Sequence, residues 1–434
     1  MTKQSFPAWW EVISDARWFA GKGLAAALTD LAPLPWLTGP GQLPAVRAEV
    51  ATVTYAGGVD ERYLLLVGYT TDPEAPVVFS TTEPGLGAVQ VVEAPADPAC
   101  MRALLGALTA SGHPAMEWLD AAAIDPEAAT RLWGGDQSNT TICLGDDRLF
   151  KLFRKLEAGR NLDVEVLAGL TGSGVTPALF GTLVGDLPGR GQADLGMFVE
   201  RVQGVRDGWE WACEACAQGR DIATEAAGLG RALAQVHERL AEAFGVSATS
   251  GSAVAAAMLG RLDAALTQVP ELDAVRSAAR RTFEAVDGVE LAAQRVHGDF
   301  HLGQVLYAPD GWTIIDFEGE PLKPLAERRQ PDSVWRDVAG MLRSFDYVRG
   351  AHSDPTSSQA LAWCRSARRA FLDGYCSSAA PEPSVLHAYE LDKAIYEVVY
   401  ETRNRPKWVH IPLGAVHDVA GRTALSATHN QEEN

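Results

Sequence analysis

Asp299 and Asp316 flank a short strand-turn-strand pattern in which polar chemistry is packed between apolar segments. The run is His297-Gly-Asp-Phe-His301, then Gly303-Gln304, then Trp312-Thr-Ile-Ile-Asp316-Phe-Glu318-Gly-Glu320. Phosphoryl transfer needs a carboxylate that orients the attacking hydroxyl and takes its proton, and oxygen ligands that hold magnesium against the phosphates. Asp299 suits the first role; Asp316, with the neutral side-chain oxygen of Gln304, suits the second. A hairpin of Val305-Leu306-Tyr307 and Trp312 to Ile315, turning over Ala308 to Gly311, returns the chain and brings both carboxylates to one mouth. Either aspartate alone reads as an ordinary strand-end group, but so many polar residues at strand ends need a reason.

The residues upstream fall in an order that suits the same chemistry. Gln137, Ser138, Asn139 and Thr140 precede a predicted strand over 140–144, and their small hydroxyl and amide groups can approach phosphates. Lys151, on the predicted strand 148–153, can reach the α- and β-phosphates, and Glu165 on the following helix can hold that lysine in place. Singly these are a polar turn, an outward-facing lysine and a solvated glutamate. Followed by two metal-site carboxylates, they make the arrangement of a kinase, with ATP and Mg2+ as the expected cofactors. No GxxxxGK[ST] phosphate loop is present, and Gly134-Gly135 is too little to stand in for one.

Elements of two kinds must position these groups. Strand-like segments at 46–55, 62–68, 76–80 and 88–92, broken by Gly and Pro turns, predict an antiparallel sheet, preceded by a helix over 9–19. Helical patterns follow at 99–111, 126–133 and 162–171, with strands expected at 178–184 and 195–200. From about residue 206 the chain is Ala-rich and helical apart from the catalytic hairpin. The expected class is α+β, a bilobal kinase-like fold. It has an N-terminal α+β cap (1–95), a nucleotide-binding part (96–205) and a mainly helical catalytic lobe (206–434).

Composition limits the partners. With 37 basic against 56 acidic residues the net charge is −19, a field that repels nucleic acid and anionic membranes. An apolar fraction of 47% is that of a folded soluble chain. The opening residues lack a signal-peptide core and no apolar run is long enough to span a bilayer, so a cytoplasmic protein is expected. Six scattered cysteines do not form a disulfide framework, and the Cys213/Cys216 pair has no second pair to complete a zinc site.

The catalytic block resembles the phosphotransferase signature of aminoglycoside, choline and related small-molecule kinases, in which an Asn usually stands where this chain has Gln304. His301-Leu-Gly-Gln304 and Asp316-Phe-Glu-Gly-Glu-Pro321 are similar to the corresponding run of the bacterial maltokinases. So are Gln137 to Thr141, Arg17 to Gly23, Asp207-Gly-Trp209 and Glu390 to Glu401 with Arg405-Pro406. The resemblance implies transfer of the ATP γ-phosphate to the anomeric hydroxyl of maltose, feeding α-glucan synthesis, with a trehalose synthase as a possible partner. Tyr396, Glu397, Tyr400 and Glu401 form adjacent helix stripes suited to a sugar, with Arg405 beside them and His297 and Glu318 counted among the substrate contacts. A plainer reading puts the tyrosines in the core and the charges on a solvated face. Trp335, Arg336, Asp337 and Arg343 read first as packing and ion-pairing residues. Glucosamine is the alternative sugar, since Glu397 and Glu401 would suit an ammonium group. A pseudokinase is the alternative of another class, disfavoured by the retained lysine, glutamate and aspartates.

Overall fold

The computed structural model describes residues 5–39, 41–135, 138–320, 323, 325–376 and 383–418. Gln137 and Pro321 lie outside them. The chain divides into two compact units, one of residues 1–168 with 177–203, the other of 169–176 with 204–434.

In the first unit, helix α1 (Phe6–Asp15) is followed by strands β1 (Ala26–Trp36), β2 (Ala45–Tyr55), β3 (Asp60–Thr70), β4 (Val77–Glu83) and β5 (Gly87–Glu93), an antiparallel sheet of order β1-β2-β3-β5-β4. The strand period of two explains its two covered faces. Val46, Ala48, Val50, Leu64 and Leu66 point one way, toward helix α2 (Pro98–Leu108). Ala51, Val53, Tyr63, Leu65 and Val67 point the other way, toward Trp9 and Ile13 of α1. Strand β1 was not foreseen, because Pro33 and Pro35 weaken its strand signal. The sheet order resolves this: β1 is an edge strand, where missing N–H groups are tolerated.

A second sheet, of order β6-β10-β11-β9-β8-β7, is built from β6 (Met116–Trp118), β7 (Thr130–Leu132), β8 (Thr140–Leu144), β9 (Arg148–Leu152), β10 (Leu179–Leu187) and β11 (Gly191–Glu200), with α3 (Leu162–Gly169) between β9 and β10. Residues 130–132, expected in a helix, are instead its edge strand, with Thr130 opposite Leu144. The faces of the two sheets and α2 share one hydrophobic cluster that includes Leu64, Leu104, Phe150 and Phe198. Residues on both sides of position 95 therefore contribute to a single core.

The second unit begins with β12 (Arg206–Asp207), α4 (Gly208–Ala217), α5 (Ala223–Phe244), β13 (Val246–Ser250), α6 (Gly251–Leu266), α7 (Arg276–Glu284) and β14 (Glu290–Gln294). It continues with β15 (Val305–Ala308), β16 (Gly311–Ile314), α8 (Leu325–Arg328), α9 (Trp335–Gly350), α10 (Ser358–Tyr375) and α11 (Pro383–Asn404). The β15–β16 hairpin has the expected turn, with Ala308 opposite Gly311. Helices α6, α7, α9 and α11 contribute to one core through Met258, Leu262, Phe283, Ala339, Leu391 and Val398. All six cysteines are unpaired, and among the described residues no helix is long and apolar enough to cross a membrane.

Candidate active site

The loop between β14 and β15 carries Asp299 and is held from beneath by α9. Asp337, Gly340 and Ser344 recur at i, i+3 and i+7, which puts them on one helix face. Asp337 is fully buried and accepts hydrogen bonds from His297 N at 2.7 Å, Gly298 N at 2.8 Å and His237 Nε2 at 3.0 Å. Ser344 Oγ accepts from Leu302 N at 3.0 Å. Gly340 permits this closeness, since a Cβ there would come within 2.5 Å of the Phe300 carbonyl oxygen. Gly298, with φ 85°, makes the turn that leads into Asp299.

The Asp337 carboxyl is kept below the usual carboxylate range. Burial alone would raise it, but His237, His297 and the Gly298 N–H outweigh burial. A group depressed on folding adds stability above its unfolded pKa and loses it as the pH falls through the folded value. Asp337→Ala leaves two buried amides and an imidazole nitrogen without their acceptor. It should destabilise the protein by about 3–5 kcal/mol at pH 7. Urea midpoints for the two proteins should converge below about pH 4; a gap that is constant with pH would contradict this role for Asp337.

His297 was expected on the sugar. Instead it is 1% exposed, with Nε2 3.0 Å from the Ile315 carbonyl oxygen and Nδ1 accepting from Asp299 N at 3.4 Å. It fastens the Asp299 loop to the strand that leads to Asp316. The hairpin register brings Gln304 to the same place, with Ile315 N donating to Gln304 O at 3.0 Å. Asp316 has φ 65°, a left-handed conformation uncommon outside glycine, and one of its carboxylate oxygens lies within 4.8 Å of one of Glu318. Two carboxylates close together, with Gln304 in the turn that leads into β15, are hard-oxygen donors of the kind that suit a divalent cation. Glu318, expected on the sugar, lies beside Asp316 and is not among the residues that line the cavity described next.

Helix α11 supplies the opposite wall. Lys393, Tyr396, Glu397, Tyr400 and Glu401 follow the i, i+3, i+4, i+7, i+8 spacing of one helix face. With Trp209, Asp299, His301, Tyr347, Arg405 and Trp408 most of them line a cavity of about 550 Å3. Tyr396 and Tyr400 stack with centroids 6.4 Å apart, and Tyr347 lies nearly parallel to Trp408 at 6.3 Å. Desolvation in the cavity wall, with help from Lys393 and His297, pushes His301 down to about 4 against the pull of Asp299.

The carboxylates on this wall are already matched to cations. Glu397 Oε2 accepts from Arg343 Nε at 2.9 Å, and burial pushes its carboxyl up against the effect of Arg343 and Lys393. Glu401, 1% exposed, takes both arms of Arg405, at 2.9 and 2.6 Å, and the Tyr347 hydroxyl at 3.0 Å. Arg343, Arg336 and Asp337 thus act as ion-pairing and hydrogen-bonding groups. Lys393, which no motif singled out, places Nζ 3.2 Å from Asp299 Oδ1. Its sequence signals are its place inside the Glu390 to Glu401 run and its position three residues before Tyr396 on the same face.

In the first unit, Lys151 on β9 donates to Asp163 Oδ2 at 3.0 Å. Asp163, two residues before the expected Glu165, is the residue whose signal was missed; both lie in the first turn of α3. The Thr140 hydroxyl accepts from the buried Arg154 Nε at 2.7 Å, and Asn139 Nδ2 donates to Ser138 Oγ at 3.4 Å. Arg154 also donates to the Leu64 carbonyl oxygen at 3.0 Å. The start of β8 is thereby anchored to the neighbouring sheet.

Comparison with known proteins places the chain among phosphotransferases. A glucosamine kinase of Streptacidiphilus jiangxiensis is 30% identical over 314 residues, covering 64% of this chain and 70% of that protein. A glucosamine kinase of Mycolicibacterium smegmatis is 27% identical over 307 residues, covering 65% and 77%. The solved structure of a glucosamine kinase in complex with glucosamine, ADP and inorganic phosphate shares the fold, with a TM-score of 0.68, 23% identity and coverage of 95% of this chain and 99% of that one. Residues 129–377 match the phosphotransferase enzyme family, a span that takes in β8, β9, α3 and the whole catalytic hairpin but stops short of α11. By that match, over more than half its length, the chain belongs to the phosphotransferase enzyme family and has its α+β kinase-like fold.

Proposed function

We propose that this chain transfers the γ-phosphoryl group of ATP to a hydroxyl of a sugar, and that the sugar is maltose, taken at its anomeric hydroxyl. The observation that carries this reading is the cavity itself: Asp299 stands on its wall, facing a helix that presents stacked tyrosines. Aromatic faces suit the C–H surfaces of sugar rings, and about 550 Å3 has room for two of them. Asp299 orients the acceptor hydroxyl and takes its proton. Lys151 holds the phosphates, with Ser138, Asn139 and Thr140 at the turn before β8. Asp316, Glu318 and Gln304 would hold a magnesium ion, which screens the phosphate charge when bound.

Glucosamine is the second reading, favoured by the names of the relatives. Its ammonium group would want an uncommitted carboxylate. Glu397 and Glu401, the groups expected to serve it, are occupied by Arg343 and Arg405, and Asp299 is already paired with Lys393, so each of these carboxylates has its cation. The physical balance therefore favours a neutral sugar.

Coupled ADP release with maltose, glucose and glucosamine tests the choice. The expected order by kcat/KM is maltose first, because a second ring supplies remote contacts that orient the first. Tyr400→Ala should narrow the maltose-to-glucose ratio by about three- to tenfold, the worth of one aromatic contact. Equal losses on both sugars would make Tyr400 a packing residue, and glucosamine outrunning maltose would replace this reading with the second.

A further inference from the structure

Glu320 does not line the sugar cavity and stands four residues beyond Asp316. It is nonetheless 4% exposed and gathers three cations. Oε2 is 3.0 Å from Lys323 Nζ and 2.8 Å from Arg336 Nη2, and Oε1 is 3.1 Å from Lys393 Nζ. Buried ion clusters often contribute little net stability, because desolvation offsets the attraction, so stability alone is a weak reason for this one.

Two of the three cations reach on to the base. Lys393 Nζ, held on one side by Glu320, is 3.2 Å from Asp299 Oδ1 on the other. Arg336 Nε donates at 3.3 Å to the carbonyl oxygen of Gly298, the residue immediately before Asp299, while its Nη1 is 3.0 Å from Asp332. The backbone there needs such a tether, since Gly298 occupies the positive-φ region and has no side chain to fix it. Lys393 needs one for a different reason: a four-carbon stem has many rotamers, and Asp299 alone would let it wander into the cavity.

We infer that Glu320 is the positioning residue of the base, aiming Lys393 at the Asp299 carboxylate and Arg336 at the backbone that carries it. The inference rests on the reading of Asp299 as the base. It also makes α11 serve twice, since the helix that presents the sugar wall supplies the lysine that steadies the base, with Glu320 on the Asp316 strand exit as the shared anchor.

A double-mutant cycle tests it, with kcat and KM for ATP and for the preferred sugar measured on wild type, Glu320→Gln, Asp299→Asn and the double variant. Glu320→Gln should lower kcat about ten- to hundredfold, the cost of a base displaced by roughly 1 Å. Both KM values should stay within about threefold. Added to Asp299→Asn, it should cost less than about threefold more, because its target is gone. The same loss in both backgrounds, or an unchanged kcat, would overturn the inference. Full turnover in Asp299→Asn alone would remove the base reading itself, a result separate from either. If Glu320→Gln does not fold, Lys393→Gln cuts the side-chain arm alone, and an additive loss with Asp299→Asn would likewise overturn the inference.

Discussion

Asp299→Asn should lower kcat by roughly two to four powers of ten while ATP binding stays near normal. The substitution keeps the size of the side chain and an oxygen toward Lys393 but removes the proton acceptor. Lys393 retains Glu320 at 3.1 Å, so the cation is not stranded and the fold should survive. The loss should therefore fall on the chemical step. Single-turnover phosphoryl transfer beside an ATP-binding titration separates the two, and a variant that binds ATP poorly or turns over at the wild-type rate would contradict the role.

Asp316→Ala should cost about three powers of ten in rate, as expected when several kcal/mol of charge stabilisation goes with a metal ligand. The magnesium requirement should rise with it. Alanine brings a second effect, because φ 65° is uncommon for residues other than Gly, Asn and Asp and costs roughly 1–2 kcal/mol. Asp316→Asn is therefore the informative partner: it keeps the backbone conformation and one oxygen while removing the charge. Asn should shift the magnesium titration with little loss of thermal stability, whereas Ala should change both. An unshifted titration in both variants would move the metal to other ligands.

The hairpin around Asp299 and Asp316 was legible because it depends on local pattern: apolar strand residues, a turn, and polar groups at the ends. The same holds for β2, β3, β5, β8 and β9, which lie within a few residues of their expected bounds. Residues 130–132 misled because Ala and Glu before them suggest a helix, while the edge of a sheet decided the outcome. Ion partners were the least legible feature. Lys393 meets Asp299 across 94 residues of chain, and Arg343 meets Glu397 across 54. Only tertiary packing makes such neighbours, so Glu397 and Glu401 looked free to receive a charged ligand. His297 misled for a related reason: the motif showed it beside the base, but only the fold shows its ring turned inward to the Ile315 carbonyl.

Phosphoryl transfer to a sugar hydroxyl is the central claim, and the product tests it most directly. The protein is incubated with ATP, magnesium and maltose, and the sugar product is read by phosphorus–proton correlation. The expected result is ADP together with a phosphorylated disaccharide whose phosphorus couples to the anomeric proton, formed by the wild type and not by Asp299→Asn at the same time point. ADP without any phosphorylated sugar, from maltose, glucose or glucosamine alike, would contradict it.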